Sequence, residues 1–208
     1  MLFRSNIRNK SDYQRSLPIE SDNSEYRLQV VEKNVPVSAI YIGFLMCDRM
    51  DISYYGYDLI SDVLSRGDSS RLNQSLVKDK QIMTSVNAYI TGSVDQGMFI
   101  ISGKVSEGFS LEEAEKAIFE ELHALPNVSE RELQKVKNKV VSSSKFEEVG
   151  ALNKAMNLSY YELLGDANNA NYQNDFYEAV SLLQFKKLAS ELFQYQNANV
   201  LHYKAIGQ

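Results

Sequence analysis

The chain has 208 residues, of which 44% are hydrophobic and 24% charged, with three prolines and ten glycines. That is apolar material for one sizeable core, and it excludes a disordered, collagen-like or low-complexity chain. A formal net charge of -5 with scattered basic residues gives no overall attraction to nucleic acid or an anionic membrane, and no apolar run approaches the roughly 18 residues of a membrane span.

Residues 1–25 are polar and irregular, with Leu2, Phe3, Leu17 and Ile19 as their few apolar anchors. They read as a linker or arm leading into one domain over 26–208. Met1 to Asn6 carry no long apolar core of the kind a secretion signal needs. From Tyr26 the pattern alternates through Val30, and after a turn at Pro36 a β-branched and aromatic run extends from Val37 to Met46. Both read as strands and are expected to pair as a hairpin. Tyr54, Tyr57, Asp58, Ile60, Val63 and Leu64 follow at helical spacing up to Gly67, and Asp68-Ser69-Ser70 offers an N-cap for a short helix carrying Leu72, Leu76 and Val77.

Ser85–Thr91 and Met98–Val105 alternate on either side of a Gly92–Gly97 turn, a second hairpin. The remainder is helical. Ser110-Leu111-Glu112-Glu113 and Ser129-Glu130-Arg131-Glu132 are both capping boxes by pattern. Pro126 stops the first of these helices. Leu152, Met156, Tyr160 and Leu163 make an apolar stripe ended by Gly165, and Ser181 opens a last helix with Phe185, Leu188, Ala189 and Leu192. Val200–Ile206 is a closing strand. The order predicts an α+β two-layer sandwich, with about five strands in a mostly antiparallel sheet covered on one face by helices.

No self-contained active site emerges from the residues. Cys47 stands alone, so no internal disulfide and no thiolate zinc site can form. The two histidines, His123 and His202, lie far apart in sequence, without the one-turn spacing that zinc peptidases need, and both read as structural. Ser142-Ser143-Ser144 lacks a nucleophile elbow, and Gly92 to Gly97 is a hairpin turn, not a phosphate loop. Glu120/Glu121 and Glu147/Glu148 are adjacent on helices and read as solvated charge.

Leu64-Ser65-Arg66-Gly67-Asp68-Ser69-Ser70-Arg71-Leu72, then Leu76 to Gln81, then Ser85-Val86-Asn87-Ala88 resemble the second half of the insulinase/pitrilysin-type zinc peptidases (peptidase family M16). That family includes the mitochondrial processing peptidase. Further matches fall at Glu130 to Asn138 and at Tyr161 to Asp166, so the resemblance runs from about Tyr26 to Ile206. It implies one of two homologous α+β halves that close around a peptide, zinc being held by an H-x-x-E-H motif in the other half.

On this resemblance the chain is the C-terminal, non-zinc half. It holds no cofactor and no catalytic or metal-binding residue of its own. Zinc is expected in a homologous partner half, in the same polypeptide or a separate subunit, within a zinc metalloendopeptidase. The family's substrate-contacting Arg and Tyr positions fall on Val77 and Thr84, beside Ser70 and Arg71. Neither Val77 nor Thr84 can supply a charged donor. The implied partners are the zinc-bearing half and a peptide substrate, and a homodimer imitating the sister arrangement is expected. A scaffold module akin to respiratory-complex core subunits is the alternative. Exported relatives would place the chain in a periplasm or cell envelope, others in the cytoplasm.

Overall fold

The computed structural model describes residues 25–206, so the predicted arm, Glu25 apart, lies outside the described residues. Five strands form where the sequence alternates: β1 (Arg27–Lys33), β2 (Ala39–Met46), β3 (Met83–Ile90), β4 (Gly97–Val105) and β5 (Asn199–Ala205). They make one sheet in the order β1-β5-β2-β4-β3. β1 is parallel to β5, and the other pairings are antiparallel. The sheet is thus mixed and mostly antiparallel.

The β3–β4 hairpin forms as expected, but the first expected hairpin does not. β5 lies between β1 and β2, pairing Val30 with His202 on one side and Ile40 with His202 on the other. The loop 34–38 can span about 16 Å, more than the roughly 10 Å of two strand spacings, so a short link does not force adjacency. It arches over the end of β5. Ile206 N–H donates to the Lys33 carbonyl at 2.9 Å, and Ala205 N–H donates to Ser38 Oγ at 3.0 Å.

Among the described residues six α-helices accompany the sheet: α1 (Tyr54–Ser65), α2 (Leu111–His123), α3 (Glu130–Glu147), α4 (Ala151–Leu163), α5 (Gln173–Ala179) and α6 (Leu182–Leu192). α1 packs on β3, α2 and α6 pack on β2, and α3 and α5 form an outer tier against α1. Ile40, Ile42 and Phe44 of β2 and Phe99 and Ile101 of β4 are completely buried beneath them, with Leu59, Ile118 and Phe185 from the helices. This core is the expected two-layer arrangement.

Helix ends follow the local chemistry, with two corrections. α1 and α4 stop just before Gly67 (φ 91) and Gly165 (φ 113), left-handed positions that favour glycine. Ser110 and Glu113 cap each other reciprocally, as predicted. At Ser129 only half the box forms: Oγ accepts from the Glu132 N–H at 3.2 Å, while the Glu132 carboxylate turns to the Arg71 guanidinium, whose paired charged donors outcompete one backbone amide. No side chain caps the segment after Ser70 either. Asn73–Asp79 winds as a π-helical turn, and Ser70 is buried, its Oγ accepting from Asn73 Nδ2 at 3.2 Å.

The α4 stripe is the third correction. Leu152, Met156 and Leu163 are 73%, 63% and 73% exposed. The helix docks through another face, on which Tyr161 is buried and gathers with Leu164 and Ala170.

Candidate functional site

Because β-strand side chains alternate between faces, burying Ile40, Ile42 and Phe44 under helices turns Tyr41 and Gly43 to the other face. Tyr41 and Tyr89 on that face are 43% and 46% exposed. The register sets Tyr89, Ile100, Gly43 and Asn199 side by side across four strands. Gly43 makes a floor: a Cβ there would meet Met98 Cε at 2.7 Å. Around it lies a cavity of about 480 Å³ walled by Tyr41, Tyr89, Met98, Ile100 and Leu201.

This surface is largely apolar, with the Tyr41 and Tyr89 phenols, the Gln29 and Asn199 amides and Arg27 as its polar side chains. None of its lining residues is a nucleophile, a carboxylate or a histidine. It can cover apolar surface or enclose a chain, and its lining holds no carboxylate, imidazole or thiol to serve as base or nucleophile near neutrality.

The four sequence-predicted contact positions lie elsewhere, and none lines this cavity. Ser70 is buried. The Arg71 guanidinium donates to both Glu132 carboxylate oxygens at 2.8 and 2.9 Å and to the Ala124 carbonyl at 3.0 Å. Val77 is half-buried against the core. Thr84 is exposed at the irregular point between Met83 and Ser85 in β3, and its Oγ1 donates to the Lys104 carbonyl at 3.4 Å.

The described residues do not fit a zinc site. His123 is exposed on α2, whereas His202 is 1% exposed on β5, its Nε2 2.8 Å from Glu115 Oε2. Among the described residues no group of three or more His, Cys, Asp or Glu side chains could hold a metal ion. Burial pushes the Cys47 thiol up to about 12, so it stays protonated and unreactive near neutrality.

Two features escaped the sequence reading. Gly43, a glycine inside an otherwise apolar strand, is itself a signal of close approach or a cavity. Arg49 follows the same strand and is 6% exposed. The pairs Tyr54-Tyr55 and Tyr160-Tyr161, whose rings surround it, could have marked it.

The Arg71–Glu132 pair gives a pH test. The hydrogen bonds from Arg71 hold the Glu132 carboxyl below its usual range. A depressed folded value contributes stability that is full above the unfolded value, near 4.3, and is lost as pH falls through the folded one. Glu132→Gln is therefore expected to be less stable than the parent by about 1 kcal/mol at pH 7, a modest figure for a partly exposed pair. The difference should vanish below the carboxylate range. Urea midpoints between pH 7 and 3 check it, and a gap that widens in acid would refute it.

A family model described as the peptidase M16 inactive domain matches residues 3–140, well over half of the chain. A comparison with curated proteins finds no match. Among solved structures, the fold resembles a protease from Helicobacter pylori at TM-score 0.88 and 18% identity, covering 96% of this chain and 49% of that one. It also resembles an inactive peptidase domain from Bordetella parapertussis at TM-score 0.75 and 17% identity, covering 85% of this chain and 97% of that one. A chain of Complex III2 from Candida albicans is similar at TM-score 0.72 and 15% identity, covering 86% of this chain and 45% of that one. This chain thus spans about half the length of the Helicobacter protein. With the family match over 3–140, the chain belongs to the peptidase M16 inactive-domain family.

Proposed function

We propose that this chain, as a domain over 26–208, is the non-zinc, substrate-enclosing half of an insulinase-type zinc metallopeptidase and has no activity by itself. The observation that carries this reading is the largely apolar sheet face around Gly43, uncovered among the described residues, which has walls and volume but no carboxylate, imidazole or thiol. Such a face is stable when another surface covers it, and a homologous zinc-bearing half is the partner that family membership suggests. Enclosing a peptide excludes water and selects extended or short chains by cavity size. Of the four candidate contact positions, Thr84 is the exposed one, and it is the position we assign to substrate. A homodimer through the same face is the arrangement expected when the sister half is missing.

Similarity to the Complex III2 chain, with Val77 and Thr84 at the family's Arg and Tyr positions, favours a scaffold as the second reading. One experiment separates the two. The purified chain, checked for metal content, is assayed on unstructured peptides alone and after mixing with a homologous M16 half that carries the H-x-x-E-H motif. The peptidase reading expects no cleavage and no stoichiometric zinc alone, then cleavage on mixing. Cleavage by the isolated chain would overturn it, and a stable but inert complex would favour the scaffold.

A further inference from the structure

Arg49 sits in the loop after β2, its backbone fixed by an N–H donated to the Ser93 carbonyl at 2.9 Å. Its guanidinium carbon lies 4.2 Å from the Tyr54 ring centroid, 5.1 Å from that of Tyr55, 5.6 Å from that of Tyr161 and 5.9 Å from that of Tyr160. Nη2 donates to Tyr161 Oη at 3.1 Å. Among the described residues no carboxylate forms an ion pair with it. The half-buried Asp58 accepts instead from Tyr177 Oη, at 2.5 Å.

A buried charge without a carboxylate in direct contact is rare, and Asp58 acts on Arg49 only from a distance. Aromatic faces attract the cation, and the Tyr161 and Tyr55 hydroxyls accept from it, but two phenols leave part of a guanidinium with five N–H donors unmatched. Beside it opens a cavity of about 110 Å³. Tyr55 and Tyr161, which flank the guanidinium, line that cavity with Arg49, and its other walls include Met50, Leu164 and Phe176, with Asn169 as the polar group. The volume equals that of about four waters, room for a carboxylate with a short alkyl body.

We infer that this cavity is a binding site for a small apolar carboxylate, whose two oxygens take the remaining N–H donors of the Arg49 guanidinium while its alkyl part lies against Met50, Leu164 and Phe176. The same chemistry has two sources, a free short-chain acid or the C-terminal residue of a peptide. The site is separate from the open sheet face and does not depend on the peptidase reading.

The test is a titration of the purified chain followed by amide and methyl NMR. The probes are butyrate, an acetylated dipeptide ending in valine, the same dipeptide amidated, and chloride at matched ionic strength. Saturable shifts at Asn169 and Leu164 are expected with millimolar dissociation constants for butyrate, the free-acid peptide or both, and whichever binds identifies the source. The amide and chloride should give no such shifts. Arg49→Met should abolish them. Should that variant unfold, Leu164→Phe keeps the guanidinium and fills the cavity, and it should weaken binding at least tenfold with the rest of the spectrum retained. The inference is overturned by no saturable shift with either acid, by equal shifts with chloride or the amide, or by undiminished binding in Leu164→Phe.

Discussion

Replacing Phe193 by alanine is expected to lower unfolding stability by about 3–5 kcal/mol, the range for removing a large aromatic from a packed core. Phe193 follows α6 and is 2% exposed. Its ring stands edge-on to Phe44 at 5.2 Å and to Phe99 at 5.1 Å. Those two face each other across β2 and β4, so one side chain pins the end of α6 to the middle of the sheet. Alanine would forfeit the buried area and both edge-to-face contacts, each adding about 0.5–1.5 kcal/mol beyond area. Leu183, one helix away in the same segment but 81% exposed, is the control, and its alanine variant should stay within about 0.5 kcal/mol. Denaturant midpoints measure both. Equal effects at the two positions would mean that the α6–sheet junction is not part of the cooperative core.

How much of this was legible in the sequence depends on whether the signal was local. The strands, the Gly67 and Gly165 helix ends and the Ser110 box were readable because alternation, left-handed glycine and N-cap geometry act within a few residues. The insertion of β5 between β1 and β2 was not. A strand near the end of the chain takes that place, and nothing in residues 26–46 encodes it. Partner choice also decided Ser129, whose box gave up its glutamate to Arg71, a residue 61 positions away. The α4 stripe shows the converse error: Leu152, Met156 and Leu163 have core spacing, but the anchoring face is set by Tyr161 reaching Arg49, a tertiary contact.

The site was less legible than the fold. The residues Ser70, Arg71, Val77 and Thr84 came from the resemblance, and the structure spreads them over a buried turn, an ion pair, a core margin and an edge strand. The open face that offers a surface owes its shape to Gly43, where the missing side chain is the feature. An absence of that kind becomes meaningful only once the register sets Gly43 between Ile100 and Asn199.

Glu115→Ala should be the most damaging polar substitution, at about 2–4 kcal/mol. Glu115 is on α2, 7% exposed. Its Oε1 accepts from Tyr26 Oη at 2.8 Å, and its Oε2 lies 2.8 Å from Nε2 of His202. One carboxylate thus binds the entry to β1 and the centre of β5 to the helical layer. Alanine strands a histidine that is 1% exposed, and the loss is the desolvation of a partnerless group more than the worth of one bond. Two further variants isolate that cause. Glu115→Gln keeps a carbonyl acceptor and should recover much of the loss. Glu115→Leu combined with His202→Leu removes the buried pair and should be less destabilised than Glu115→Ala, because the histidine is no longer left alone and only the half-buried Tyr26 hydroxyl loses a bond. If the double variant is as unstable as the sum of its singles, the pair contributes no coupling and this account fails. The consequence reaches the open face, since Asn199 and Leu201 alternate with His202 along β5 and flank Gly43 on the other side of the sheet. Loosening β5 from α2 should therefore weaken any binding at the Gly43 cavity even in variants that remain folded, which titration of the folded Glu115→Gln chain with the zinc-bearing half proposed above can measure.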